Sequence, residues 1–184
     1  MPKNTAISPK DDIPDHPVSI LFVCLGNICR SPMAEAVFKS QTKGHPGVGQ
    51  VDSCGTAGYH VLEPPDFRAM SKLRQKGITD FEHSGRQIAS QDFHDYDYIL
   101  GMDEMNMESL ARLRGRRKSA SGGRARVMLF GEFAGKNRPE EVVDPYYGGQ
   151  DGFEVVYGQL VRFTKGFVDE VADKVAEKLK GEQQ

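Results

Sequence analysis

The sequence has no tryptophan, only three cysteines, and no apolar run long enough to cross a bilayer. Cys24, Cys29 and Cys54 are too few, and of the wrong parity, for a disulfide framework, which points to a reducing compartment and a cytoplasmic protein. Charge of one sign is also lacking. A formal net of −2 over 184 residues argues against a surface built throughout for nucleic acid. No leader is readable either: residues 1–17 are polar, hold four prolines and precede only a short apolar run, so neither a signal peptide nor a membrane anchor is expected. Residues 1–16 read as a disordered tail ahead of one domain. What is present, 38% apolar and 27% charged residues, suits a globular chain that needs no staples to hold its core.

Strand and helix patterns alternate. Val18–Val23 is a nearly continuous branched run, suited to a buried parallel strand. Arg30-Ser31-Pro32 reads as a helix start, with the serine as cap, and Glu35 suits the positive end of the dipole. Further strands are expected at Val48–Cys54, Tyr96–Leu100 and Arg126–Phe130. Helices are expected at Pro64–Lys76, Asp103–Leu113 and Phe153–Leu179, the last with Tyr157, Leu160, Val161 and Val175 on its apolar face. This repetition specifies a parallel sheet with helices on both faces. Residues 112–126 hold seven basic side chains and no acid. The plain reading is a solvated loop; nucleic-acid binding is the sharper and less expected one, and Ser119 there resembles a basophilic kinase site.

The chemistry gathers between the first strand and the first helix, at Cys24, Leu25, Gly26, Asn27, Ile28, Cys29 and Arg30. Open α/β sheets bind ligands at the carboxyl ends of their strands. A loop there, entering a helix N-terminus, presents backbone N–H groups and the positive dipole end to an anion. Gly26 lets the backbone turn inward, and Arg30 adds a planar fork that matches two phosphate oxygens. The same groups favour a thiolate, and Ser31 can hydrogen-bond the sulfur, so Cys24 reads as a nucleophile aimed at phosphorus. Its bland alternative is a small buried residue at a strand end. Asp144, fixed by Pro145 and followed by Tyr146 and Tyr147, is the best proton donor for a departing oxygen, although Asp-Pro also simply starts turns. The five histidines show no paired-ligand spacing, and no metal or cofactor is expected.

Val23 to Pro32 resembles, without a mismatch, the Val-Cys-x-Gly-Asn-x-Cys-Arg-Ser-Pro signature of the low-molecular-weight protein tyrosine phosphatases. The similarity continues through Asp52-Ser53, Gly58-Tyr59, Pro64-Pro65-Asp66, His83 to Gln87, Asp97 to Leu100, Met102-Asp103-Glu104 and Asp144-Pro145-Tyr146. With the alternation above, it implies an α/β, single-domain three-layer sandwich. The four-stranded parallel sheet would have order 2-1-3-4 with helices on both faces, in a phosphatase domain at 17–184. It implies a cysteine-dependent phosphatase acting on phosphotyrosine proteins or small aryl phosphates through a phosphocysteine, releasing inorganic phosphate, as a monomer or weak dimer. Cys24, Arg30 and Asp144 would be catalytic. Asn27 would hold the loop with support from Ser53 and His83. Tyr59, Tyr146 and Tyr147 would form the substrate rim, and Cys29 would trap an oxidised Cys24 as a disulfide. His60 and Gly101 occupy positions where members differ. An arsenate reductase of the same fold would need relay cysteines downstream, and none follows Cys54. A catalytically inactive phosphate-binding module would need neither nucleophile nor acid.

Overall fold

A computed structural model describes residues 13–115, 123–146 and 149–182. All seven residues of β1 (Val18–Cys24) are buried. It lies between β2 (Val48–Gly55) and β3 (Tyr98–Gly101), with β4 (Arg126–Leu129) beyond β3. All pairings are parallel and the order is β2-β1-β3-β4, as expected. The branched run of β1 is covered on both faces, the usual fate of such a strand. Ile20 and Phe22 face the layer that contains α1 (Arg30–Gln41), α2 (Phe67–Gln75) and α5 (Gln150–Phe167). Leu21 and Val23 face Leu110 of α4 (Glu104–Gly115). The Phe22 ring meets Phe130 at 4.9 Å and Phe38 at 5.5 Å, and Phe167 gathers Phe38, Tyr98 and Phe133. Burying each such ring contributes about 1.5–3 kcal/mol.

Several boundaries differ from the sequence reading. α2 begins at Phe67, capped by Asp66, which accepts from the Arg68 N–H, so the prolines precede the helix. β3 begins at Tyr98 because Asp92–Asp95 form a short helix, α3. Phe130 leaves β4 for a 3₁₀ turn through Phe133. The last helix is broken: α5 passes through a π turn at Val168–Ala172 into α6 (Asp173–Gly181). Its buried stripe centres on Val156, Phe163 and Phe167, while Tyr157 and Val161 are only partly buried. Several apolar rows run along this helix, and ring packing against Phe38, Phe130 and Phe133 selects one. The wider π turn then rotates Val171 and Val175 onto the same core.

Of residues 1–16, the described 13–16 lie against the domain. The Ile13 carbonyl accepts from Lys178 Nζ at 2.8 Å, and His16 Nε2 meets Asp97 Oδ1 at 3.0 Å. Residues 116–122 of the basic stretch, with Ser119, lie outside the described residues. No described helix is long and apolar enough to cross a membrane.

Two features place the site. From β1 the chain runs through α1 to β2 on one side, then crosses to β3 on the other. The direction of winding therefore reverses between β1 and β3, and the crevice outside their carboxyl ends is where such sheets bind ligands. The second feature is a tie beneath that crevice. Glu35 is buried on α1 and accepts from the Ser53 hydroxyl of β2 at 2.7 Å and from Lys39 Nζ at 2.5 Å; its Oε2 also meets His83 Nδ1 at 3.1 Å. This is more than an acid near a helix start. Burial works to raise the Glu35 pKa, and hydrogen bonds from His83, Lys39 and Ser53 outweigh it, so the carboxyl is held below its ordinary 4.5.

A carboxylate whose folded pKa is depressed adds stability that is fully present above the unfolded value and is lost as the pH falls through the folded one. Glu35→Gln is therefore expected to cost about 2 kcal/mol near neutral pH. Urea midpoints should show the gap to wild type narrowing as the pH drops below about 4.5, the ordinary value. A gap constant down to strong acid would mean that the charge of Glu35 is not its source.

Candidate active site

β1 delivers Cys24 to the crevice, and the loop from Leu25 to Cys29 returns the chain into α1. Its shape depends on Asn27, which adopts a left-handed backbone (φ 58°) and is 1% exposed. Asparagine tolerates this conformation better than most residues. Its side chain is used at every position. Nδ2 donates to Ser31 Oγ at 2.9 Å and to Ser53 Oγ at 3.0 Å. Oδ1 accepts from the Arg86 backbone N–H at 3.0 Å and lies 2.7 Å from His83 Nε2. Glu35 lies at His83 Nδ1 and Asn27 Oδ1 at its Nε2, so both ring nitrogens are engaged. The loop thus rests on α1, β2 and the 83–86 segment together.

The turn aims donors at sulfur. The Asn27 backbone N–H reaches Cys24 Sγ at 3.3 Å, and Ser31 Oγ lies 3.0 Å from it. Ser31 does not cap its helix, as the sequence suggested. Cys29 occupies the N-cap position without a side-chain cap bond, and the Ser31 hydroxyl is turned inward to Cys24, Asn27 and the Cys54 carbonyl. Cys29 is buried, and that burial, with Asp66 and Cys24 nearby, pushes its thiol up to about 12.

Arg30 opens α1 and is 4% exposed. Nη1 is taken by Asp103 Oδ2 at 2.5 Å and the Val142 carbonyl at 3.2 Å. Nη2 meets Asp144 Oδ2 at 3.4 Å, at the limit of a hydrogen bond. Burial opposes the guanidinium charge; Cys24, Asp103 and Asp144 outweigh it and raise the pKa. Asp144 lies in the turn that the sequence indicated, its Oδ1 accepting from the Tyr146 N–H at 3.0 Å. Cys24, Leu25, Gly26, Ile28, Cys29, Arg30 and Asp144 all line one cleft of about 190 Å³. Tyr59 and Tyr146 stand at its rim, exposed by 73% and 42%, and Arg68 lies over the Tyr146 ring at 5.5 Å. Tyr147 falls outside the described residues.

Three contributors were not singled out from the sequence as site residues. Asp103 orients Arg30, Glu35 anchors Ser53 and His83, and the Arg86 backbone holds Asn27. Asp103 had a signal: it follows β3 at the same edge of the sheet as Cys24. Glu35 had none, since nothing in the chain marks it as buried. Among the described residues, Glu35, Asp52 and His83 bring three potential metal-ligand atoms within 4.8 Å. Their side chains are already engaged, Glu35 with Ser53 and His83, and Asp52 with Arg86 at 3.0 Å.

Known proteins share this arrangement of chain. A protein of Schizosaccharomyces pombe described as a low molecular weight phosphotyrosine protein phosphatase is 44% identical over 158 residues, covering 84% of this chain and 97% of its own. A human protein of the same description is 42% identical over 154 residues, covering 82% and 94%. Among solved structures, Primo-1 superposes with a TM-score of 0.73 at 39% identity, covering 83% and 97%. The Drosophila arginine phosphatase DARP does so with 0.74 at 34%, covering 82% and 96%. The sequence model of one family matches residues 19–178, and the chain belongs to that family, the low molecular weight phosphotyrosine protein phosphatases.

Proposed function

We propose that the protein hydrolyses phosphotyrosine and related aryl phosphates through a phosphocysteine. The observation that carries this reading is Cys24 Sγ, held between the Asn27 N–H and the Ser31 hydroxyl in the same cleft as Arg30 and Asp144. The Cys24 sulfur attacks phosphorus, the bond to the aryl oxygen breaks, and Asp144 gives that oxygen its proton. Water then attacks the phosphocysteine. Asp144 takes its proton, the S–P bond breaks, and inorganic phosphate leaves with Cys24 restored. Arg30 and the loop N–H groups stabilise the charge on the three equatorial oxygens. The left-handed turn at Asn27, supported by Ser53 and His83, keeps those donors in place before substrate arrives.

Tyr59 and Tyr146 suit an aryl ring, which can stack between exposed aromatic faces. The arginine phosphatase among the structural relatives makes phosphoarginine the comparison to include in any assay. Arsenate reduction lacks support: Cys54 is the last cysteine of the sequence and is fully buried. A mechanism that cycles a free thiol fits a reducing, cytoplasmic setting.

Purified protein should hydrolyse p-nitrophenyl phosphate and a phosphotyrosyl peptide, and phosphoarginine less well. Cys24→Ser is expected to lower turnover by about 10⁴-fold or more. Asp144→Ala should slow phenyl phosphate by about 10²–10⁴-fold. It should slow p-nitrophenyl phosphate much less, because that leaving group needs less help from a proton. Turnover that survives in Cys24→Ser would sink the mechanism.

Cys29 is proposed as the resolving thiol. Its raised pKa keeps it protonated at neutral pH, so it is not the sulfur that peroxide oxidises first. Peroxide converts the Cys24 thiolate to a sulfenic acid; the Cys29 thiol then attacks that sulfur, forming the disulfide and releasing water. Wild-type protein inactivated by peroxide should recover with dithiothreitol, and Cys29→Ser should recover far less. Equal recovery of the two would remove Cys29 from the scheme.

A further inference from the structure

Beside the cleft runs a short loop with an unusual residue at its tip. The Glu63 N–H donates to the His60 carbonyl at 3.1 Å, closing a turn over His60, Val61, Leu62 and Glu63. Leu62, the third residue of that turn, has φ 69°, while Val61 has no positive φ. These are the features of a type II turn, whose third position calls for glycine. Leucine is disfavoured there by its backbone, and it is also 81% exposed, so its side chain gains nothing from burial. The chain cannot easily relax. The Leu62 N–H is held by the Gly85 carbonyl at 2.8 Å, the Gly85 N–H by the Glu63 carbonyl at 2.8 Å, and the Glu63 carboxylate by His60 Nδ1 at 2.6 Å. A side chain that is strained at its backbone and wasted on solvent is the mark of a contact made elsewhere.

Its position says with what. Tyr59 and His60, at the start of the same loop, line the cleft. The aromatic edge of His60 also sits over the phosphate loop: Cδ2 lies 3.1 Å from the place a Cβ on Gly26 would occupy. Tyr59 stands at the rim of the cleft, and two and three residues further on Val61 and Leu62 are exposed by 45% and 81%. We infer that Leu62, with Val61 beside it, is a specificity-determining contact that takes an apolar side chain flanking the phosphotyrosine of a peptide substrate. The inference rests on the phosphatase reading above. It adds that the enzyme selects among phosphopeptides by an aliphatic or aromatic neighbour, at a point the phosphotyrosine itself does not reach.

A role in folding predicts that Leu62→Gly does no harm, since glycine relieves the turn. A role in recognition predicts a selective loss. The test compares kcat/KM on phosphotyrosyl peptides that carry leucine or serine at each of the three positions on either side of the phosphotyrosine, with p-nitrophenyl phosphate as a substrate that has no flanks. In the wild type, leucine at one position should raise kcat/KM by about 5-fold or more. In Leu62→Gly, and in Leu62→Asn as a second residue that tolerates positive φ, that preference should fall to within about 2-fold. Activity on p-nitrophenyl phosphate should stay near wild type, and the thermal midpoint should not drop. Wild-type protein that hydrolyses p-nitrophenyl phosphate but ignores the flanking residue would overturn the inference and leave the phosphatase reading intact. So would a preference that persists in both variants. Wild-type protein inert on every aryl phosphate would remove the reading itself and the inference with it.

Discussion

The site hangs on one side-chain amide. Asn27 sits in a left-handed backbone conformation inside a buried loop, and that conformation survives because both ends of its amide are bound to three different parts of the chain. Without those partners the loop could flatten, and the Asn27 N–H would no longer point at Cys24. An amide is suited to the task because it donates and accepts at once. Ser31 and Ser53 accept from its nitrogen, the Arg86 N–H donates to its oxygen, and His83 Nε2 lies against that same oxygen. A carboxylate at position 27 could not donate to Ser31 and Ser53, and an apolar side chain would lose all four contacts, a costly change in a dry site.

This node explains why the fold places supports so far apart in sequence. Glu35 on α1 binds Ser53 and His83, which in turn bind Asn27, so helix, strand and loop close on a single carboxylate. The network is buried and nearly every member has a partner, the state in which such a network rigidifies a site instead of weakening it. Rigidity matters for an anion site made of N–H groups. Donors that are already aimed lose little order when the anion arrives.

Much of this architecture was readable from residue pattern. The branched run at Val18–Val23 identified the central strand, and the signature from Val23 to Pro32 identified the loop. Asp144 was a candidate from its place ahead of Pro145, where a plain turn was equally open, and the structure puts it in one cleft with Cys24 and Arg30. The failures have physical causes. Ser31 has the side chain of a helix cap, but sulfur and amide partners in the folded loop outcompete the free N–H groups of the helix. Glu35 has the signature of a dipole-favoured surface acid, and only tertiary packing reveals that it is buried. In the last helix, periodicity could not choose between adjacent apolar rows, because the choice is made by phenylalanines on other elements. The strain at Leu62 is invisible in sequence, since leucine does not announce a positive φ.

The electrostatics of Arg30 close the argument about what the cleft can hold. A buried guanidinium needs a compensating charge merely to fold, and Asp103 supplies it at Nη1, with the Val142 carbonyl beside it. That leaves the Nε–Nη2 edge, whose partner among the described residues is Asp144, at 3.4 Å. The asymmetry is useful. A phosphoryl group that enters the loop can take two oxygens to that edge without displacing Asp103, so the charge needed for folding and the charge needed for binding come from different sides of one planar group. Asp144, more exposed and more weakly held, is left beside the arriving anion without a strong tie to Arg30. In the proposed reaction that freedom lets the same carboxyl group give a proton in one step and accept one in the next.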